Sequence, residues 1–312
     1  MKIVILGGSG MLGSMVVDWF RRDRSLSVVA TARSQEVMRD FQNLSEEVEW
    51  RLLNADHSTV SSLLDLLAGA DWVINCIGIT KPYIHEDKPA ETDRAIRINA
   101  LFPHRIAEAA SIAGFQVLQI ATDCVYSGTK GKYVEQDQHD ALDVYGKTKS
   151  LGEVRSESMH HLRVSIIGPE PLRHAFLLEW FLNQSSGSSV KGFTNHEWNG
   201  ITTLHFARLC HGIIRHRLNC GYLQHVLPSD AVSKAELLQC FAHSYHRPDI
   251  QVLPIEAPTT VDRTLGTSNP SLNQKLWEAA GCSPPPTVEQ MVGELAQFDG
   301  RFLGQKFASA SD

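Results

Sequence analysis

No stretch of the chain stays apolar for the roughly 20 residues that a helix needs to span a bilayer. The opening MKIVILGGSG has one lysine and a short apolar run, but the run stops at Gly7 and no cleavage-site pattern follows, so it does not read as a secretory leader. Lysine and arginine never gather into a block and the formal net charge is −6, which removes the electrostatic footprint of a nucleic-acid binder. Cysteine is scarce: the six, at 76, 124, 210, 220, 240 and 282, form no Cys-x-x-Cys pair. That excludes a disulfide frame or zinc knuckle and fits reduced thiols of a cytosol. His243 and His246 stand three apart with no cysteine or acidic cluster beside them, so no metal site is expected. Internal repeats and low-complexity linkers are missing as well. The expectation is a soluble, cytoplasmic protein that meets neither membrane nor nucleic acid.

What is present is ordinary globular composition, 43% hydrophobic and 21% charged, in a chain of 312 residues. That length suffices for one large α/β domain with a smaller lobe. Apolar strands are predicted at 2–6, 26–32, 48–54, 71–78 and 115–122, and helical patterns fall between them. The first helix carries Met11, Leu12, Met15, Val16 and Trp19 at helical spacing. A long helix over 90–114 is expected to bend at Pro103 and to end at Gly114. Strands and helices in strict alternation predict an α/β fold, a doubly wound parallel sheet covered on both faces. After 164–167 the rhythm loosens. Helices near 176–182, 202–215 and 233–245, extended segments at 189–193, 221–227 and 250–254, and two short helices flanking Pro284–Pro286 make a smaller C-terminal lobe. The strand near 221–227 is expected to rejoin the main sheet, and the end from about Gln305 to fray.

GGSGMLG follows the first strand and opens the first helix. There a pyrophosphate would meet backbone N–H groups and the positive helix end, so Gly7, Ser9, Gly10, Met11, Leu12 and Gly13 form a candidate phosphate loop. Twenty residues beyond Gly13, after the second strand, stands Arg33, where a site choosing NAD usually has Asp or Glu. A guanidinium cannot accept from a ribose hydroxyl but can fork onto a 2′-phosphate, so NADP (as NADPH) is the expected cofactor, with NAD as the alternative. Thr31 can add a hydroxyl. Asp56, after the third strand, is placed to meet the adenine. Cys76, Ile77 and Gly78, after the fourth, would run along the nicotinamide-side ribose. The chain then divides into an NADP-binding domain at 1–167 and a mainly substrate-binding lobe at 168–312.

Two pentapeptides fit Tyr-x-x-x-Lys, a pattern that supplies a proton donor and its activating cation in one large class of oxidoreductases: YSGTK (Tyr126, Lys130) and YGKTK (Tyr145, Lys149). The first lies in a run dense in Gly, Ser and Thr that reads as loop, where nothing fixes the two side chains on one face. The second lies in LDVYGKTKSLGEV, with Val144, Leu151 and Val154 as an apolar stripe. Residues four apart are neighbours on a helix, so Tyr145 and Lys149 are the expected working pair.

The glycine loop, Asn75–Gly78, ATDCVYSGTKGKYVEQD and VYGKTKSLGE together resemble the extended short-chain dehydrogenases/reductases, and more narrowly the dTDP-4-dehydrorhamnose reductase group. The resemblance covers the first 170 residues and thins afterwards. It implies a Rossmann-type fold and an enzyme of nucleotide-sugar and polysaccharide biosynthesis, in which NADPH reduces a keto group, at C4, of a nucleotide-linked deoxysugar. It further implies Tyr145 as proton donor and Lys149 as the cation that lowers the phenol pKa and holds the ribose. Thr122 would bond the carbonyl oxygen. Asn99 would fix Lys149 through water, with Asp123 and Cys124 at the cleft mouth. A homodimer is compatible with the resemblance.

The substrate lobe departs from that pattern: NGITT stands where a Gly-x-Pro-Thr turn is common, and VDRTLGTSN where an Arg-Pro pair is. In VKGFTNHEWNG, Phe193 and Trp198 can stack a nucleobase with Asn195 and Asn199 on its edge, while Lys191 and Arg263 neutralise a sugar diphosphate. The bland alternative is that both aromatics are core. Two rival functions are an epimerase or dehydratase of the same fold, which would want an acid at Arg33, and a non-catalytic NADP-binding regulatory subunit, which has less need of the whole Thr/Tyr/Lys set.

Overall fold

The computed structural model describes residues 1–172 and 174–300, so the tail expected to fray from about Gln305 lies outside the described residues. Six strands alternate with helices through the first half: β1 (Lys2–Leu6), β2 (Ser27–Ala32), β3 (Val48–Leu52), β4 (Trp72–Asn75), β5 (Gln116–Thr122) and β6 (Met159–Val164). Between them run α1 (Met11–Phe20), α2 (Gln35–Gln42), α3 (Val60–Leu66), α4 (Pro89–Ala95), α5 (Phe102–Ala113) and α6 (Val144–Leu151). A seventh strand, Leu223–His225, pairs in parallel with β6. The sheet order is Leu223–His225, β6, β5, β4, β1, β2, β3, parallel throughout.

This is the Rossmann-type doubly wound fold, and its order reverses between β1 and β4. Side chains alternate faces along each strand. Ile3 and Ile5 of β1 therefore join the core on one side, with α1, and Val4 and Leu6 join the core on the other, with α3 and α5. The crevice beyond the C-terminal ends of β1 and β4 is where ligands bind in such sheets.

Two local expectations are corrected. The long helix is not bent at Pro103; it passes through a π-helical segment, Ile96–Leu101, between α4 and α5, and Pro103 sits harmlessly in the first turn of α5. Gly114 does close it, in the left-handed conformation at φ +81°. Nor does α6 carry an apolar stripe: Leu151 is 64% exposed, and the buried face is Gly146, Thr148 and Lys149.

The second half supplies α7 (Leu177–Leu182), α8 (Thr203–His216), α9 (Lys234–Ser244), α10 (Pro270–Ala279) and α11 (Val288–Gln297). Helix α8 packs against α1, whereas α9 packs against the parallel pair Ser189–Phe193 and Gln251–Ile255. A three-stranded sheet joins Val232–Ser233, His196–Trp198 and Val261–Asp262. Among the described residues no helix is long and apolar enough to cross a membrane, and no group of three or more His, Cys, Asp or Glu could hold a metal ion. All six cysteines are free thiols.

Candidate active site

The loop after β1 is shaped by close approach. A Cβ on Gly13 would lie 2.0 Å from the Gly7 carbonyl oxygen, and one on Gly8 would meet Ala30 at 2.9 Å. Gly7 has φ +79° and donates to Thr31 Oγ1 at 2.9 Å. That buried hydroxyl therefore anchors the loop, which corrects the reading of Thr31 as a ligand group. Gly10 differs: the nearest atom to an added Cβ there is 3.5 Å away. It caps α1 with no side-chain hydrogen bond, so the helix N-terminus is left open. Ser9 and Met11 flank it half-buried, and Leu12 is core.

Around the rim, Arg33 is exposed and makes no ion pair among the described residues. Asp56 receives Arg94 Nε on one oxygen at 2.9 Å, while its other oxygen is buried without a partner. After β4, Cys76 N donates to Leu6 O at 3.0 Å and Ile77 N to Asn75 Oδ1 at 3.1 Å. A Cβ on Gly7 would meet Ile77 Cγ1 at 2.8 Å, so the two loops lie against each other. Gly78 faces the Asn99 amide, 3.5 Å from its own would-be Cβ.

Asn99 sits in the π-helical segment, and its amide closes on both backbone groups of Ile79, accepting at 2.8 Å and donating at 2.9 Å. It also donates to Thr148 Oγ1 at 3.2 Å. Its direct bond on α6 is thus to Thr148, the neighbour of Lys149. Gly152 permits this, because a Cβ there would strike the Asn99 carbonyl at 2.0 Å.

Three groups meet at the end of β5. Thr122 caps a 3-10 turn, Asp123–Val125, accepting from Cys124 N at 3.2 Å and donating to Asp123 Oδ1 at 3.2 Å. Asp143 caps α6 through Gly146 N at 2.8 Å and pairs with Lys81 at 2.8 Å. Gly146 lets α6 press on the turn; its Cβ would lie 2.5 Å from Cys124 O. Tyr145 then faces the Thr122 hydroxyl, which pulls its phenol down. Burial, with Cys124 next in effect, pushes the Tyr145 phenol above its ordinary value. This corrects the expected lowering: burial, Cys124, Asp123 and Asp143 all raise the phenol, only the Thr122 hydroxyl pulls it down, and it stays protonated. Lys149 is buried and donates to Ile120 O at 3.0 Å. Burial pushes it down to about 8, against the pull of the Glu153 carboxylate.

The other tyrosine is differently placed. Tyr126 is 0% exposed, its hydroxyl donating to Val134 O at 3.0 Å and accepting from Arg163 Nη1 at 2.6 Å. Its ring stacks on Tyr133 at 4.2 Å. Lys130 turns away to Asp137 at 2.5 Å. Arg163 is itself buried among Glu153, His139 and His225. The glycines of the YSGTKGK loop, at φ +91° and +70°, leave room for the 261–264 segment, which docks through Asp262 N to Gly128 O at 2.8 Å. That docking brings Arg263 to the cleft, held by Nε to Tyr126 O at 2.9 Å.

The remaining substrate-lobe residues fare unevenly. Asn195 spends its amide on Ala257, accepting at 2.8 Å and donating at 2.9 Å, and Asn199 does the same with Leu265. Neither is left to read a base edge. Trp198 is buried, its indole N–H on Ser165 Oγ at 2.8 Å, with Gly200 fitted against the ring and Lys234 5.3 Å over it. It is a core aromatic, not a stacking platform. Phe193 is half-buried and tilts against His196 at 4.8 Å; Lys191 is exposed on its strand. Asp123 is buried, and desolvation raises its carboxyl while Arg263 and Lys234 pull the other way. Burial, first, and Asp123 push the Cys124 thiol up to about 12, so it is no nucleophile. Lys234 was invisible as a site residue in the sequence, where Ser233 and Glu236 around it read only as a helix opening.

Comparison with known proteins agrees with this geometry. Residues 1–298 match the family model described as "RmlD substrate binding domain". Among curated relatives, methionine adenosyltransferase 2 subunit beta of Bos taurus is 26% identical over 152 residues, 49% of this chain and 41% of that protein. The dTDP-4-dehydrorhamnose reductase of Mycolicibacterium smegmatis is 27% identical over 154 residues, 49% and 40% of the two chains. The match thus spans about two fifths of those relatives' length. A solved dTDP-4-dehydrorhamnose reductase from Bacillus anthracis, in complex with NADP, superposes with a TM-score of 0.68 at 15% identity, covering 94% of this chain and 98% of that one. With the family model running over nearly the whole chain, the protein belongs to the family of the RmlD substrate binding domain.

Proposed function

We propose that the chain is an NADPH-dependent reductase of a keto group, at C4, on a nucleotide-linked deoxysugar. One observation carries the reading: the Tyr145 phenol faces the Thr122 hydroxyl at the end of β5, with buried Lys149 one helical turn along. The residues around it suit the dinucleotide. Glycine at 10 leaves the helix end open to a pyrophosphate, the orphaned Asp56 oxygen is an acceptor for the adenine amine, and the exposed Arg33 is free for a 2′-phosphate. When bound, NADPH supplies the hydride.

The chain's own part is to place and protonate the carbonyl. Thr122 donates to the carbonyl oxygen as negative charge grows there. Tyr145, kept protonated by its burial, gives up the phenolic proton to that oxygen. Lys149, fixed through Ile120 O, keeps a cation beneath the site and donors for the ribose. Screening NADPH oxidation against 4-keto nucleotide sugars tests this, with Tyr145→Phe as the inactive control.

The similarity to methionine adenosyltransferase 2 subunit beta supports a second reading, a regulatory subunit that binds NADP without turnover. Tight NADPH binding with no oxidation across the whole panel would decide for it. An epimerase or dehydratase is disfavoured because Arg33 stands where those enzymes want an acid.

A further inference from the structure

Lys234 is the first residue of α9, at the positive end of that helix, where a cation is disfavoured. Ser233 and Glu236 already complete the capping box there, so the lysine does nothing for the helix. Its ammonium is directed into the cleft, over Trp198 and within electrostatic reach of Asp123, Cys124 and Arg263. Arg263 approaches the same carboxylate, and only its Nε is bonded, which leaves both terminal guanidinium nitrogens without a partner among the described residues.

Lys81 and Asp143 cancel as an ion pair; Arg263 reaches Asp140 and Asp143 as well as Asp123, and Lys234 faces Asp123. Neither cation closes to hydrogen-bonding distance on it; both act on Asp123 through space alone, while its hydrogen bonds come from Thr122 and Cys124. An ammonium and a guanidinium edge that no protein acceptor takes up are open to an anion, and one entering the gap between them would be held by both. The gap is one residue away from Thr122, beside the reacting carbonyl of the proposed reaction.

We propose that Lys234, together with Arg263, holds an anionic group of the sugar-nucleotide substrate, carboxylate or phosphate oxygens, and so determines which sugars the site accepts. The inference rests on the nucleotide-sugar reading above, but it concerns binding and is tested without turnover.

The NADP-saturated protein is titrated calorimetrically with the nucleoside diphosphate, the nucleotide-linked glucose and the nucleotide-linked glucuronate, each in uridine and thymidine form. Wild type, Lys234→Met, Lys234→Gln and Lys234→Arg are compared. The uncharged variants should bind the anion-bearing ligand roughly tenfold or more weakly, with NADP affinity unchanged, and arginine should restore most of the loss. Equal loss for all three ligand types identifies phosphate oxygens as the anion held; loss confined to the glucuronate identifies the sugar carboxylate. Unchanged affinities in both uncharged variants, or a wild type that binds none of the ligands, overturns the inference. Absence of NADPH oxidation would sink the reductase reading and leave these affinities intact, so the two failures are distinguishable.

Discussion

Removing one phenolic oxygen at each of the two Tyr-x-x-x-Lys copies should have opposite consequences. The Tyr126 hydroxyl is wholly buried and bridges Arg163 Nη1 to the Val134 carbonyl. In Tyr126→Phe the guanidinium keeps His225, at 2.7 Å, and Glu153, but Val134 O loses its donor and the charge-assisted bond is gone. A hydrogen bond to a charged group contributes about 1.5–3 kcal/mol. At about 2 °C per kcal/mol, the low end of the range for large domains, the melting temperature should fall by about 3–6 °C. Turnover should hold, because the ring still stacks on Tyr133 and the Tyr126 carbonyl still receives Arg263. Tyr145→Phe should do the reverse: stability nearly unchanged, kcat down by roughly 10²–10⁴-fold as expected for a lost proton donor. Thermal melts and NADPH oxidation rates on the same preparations read both effects. A Tyr126→Phe variant with its melting temperature intact and its turnover lost would refute the assignment of roles.

Arg33→Ala should weaken NADPH by about 10- to 100-fold, the equivalent of one charge-assisted contact, and leave NADH unmoved in fluorescence titrations. Gly10→Ala should fold normally but lose NADPH affinity, because its Cβ meets no protein atom closer than 3.5 Å, whereas Gly13→Ala, at 2.0 Å from a carbonyl oxygen, should lose both folding stability and binding; melts with and without NADPH separate them. Lys149, held down to about 8 by burial against an ordinary 10.5, carries a penalised charge in the folded chain. Below pH 8 that penalty is fully present; from about 8 to 10.5 the unfolded chain binds the extra proton, so wild-type stability should rise with pH relative to Lys149→Met, as urea unfolding at pH 7 and pH 10 would show. NADPH affinity should fall over the same rise through about 8 in the wild type and be uniformly weak in Lys149→Met.

The sheet was legible because its strands are apolar on both faces, and the alternation of strand and helix left little choice of topology. β6 was the exception. Its run Met159–Val164 holds His160, His161 and Arg163, all buried, so the apolar signal began only near its end. Arg163 is there for the network under α6, which joins it to Glu153, His139 and Tyr126 across distant segments, while His160 and His161 bond Gly221 O and Val154 O, and no local pattern announces either. The strand–glycine–helix setting of residues 7–13 and the helical placement of Tyr145 and Lys149 were readable from local spacing and turn chemistry. The jobs of Asn99, Asn195 and Asn199 were not, since an asparagine that binds a ligand and one that closes on a backbone amide look alike in a sequence. Pro103 misled for the opposite reason: the backbone stays helical from the π-helical segment through Leu101 and Phe102, so the proline is accommodated within a continuous helix.

The two functional readings differ in what they require of the buried charges. A protein that only binds a dinucleotide needs the glycine loop, Arg33 and Asp56, all of which lie on the β1–β3 side of the cleft. It gains nothing from a lysine sunk beneath the β5 end until it titrates near 8, or from a buried carboxylate beside Thr122. Burying unpaired charge works against the fold, and replacing such groups with apolar ones of similar size is often stabilising. Charges kept at that cost, beside the facing hydroxyls of Thr122 and Tyr145, favour the proposed reductase, whose carbonyl oxygen would become negative and then take a proton. The same weighing applies across the cleft, where Lys234 and Arg263 follow directly on two strands of the small sheet Val232–Ser233, His196–Trp198 and Val261–Asp262, and the 261–264 segment also docks on the YSGTKGK loop. On the proposed reading, the first tyrosine motif would shape the substrate side and the second would act on it.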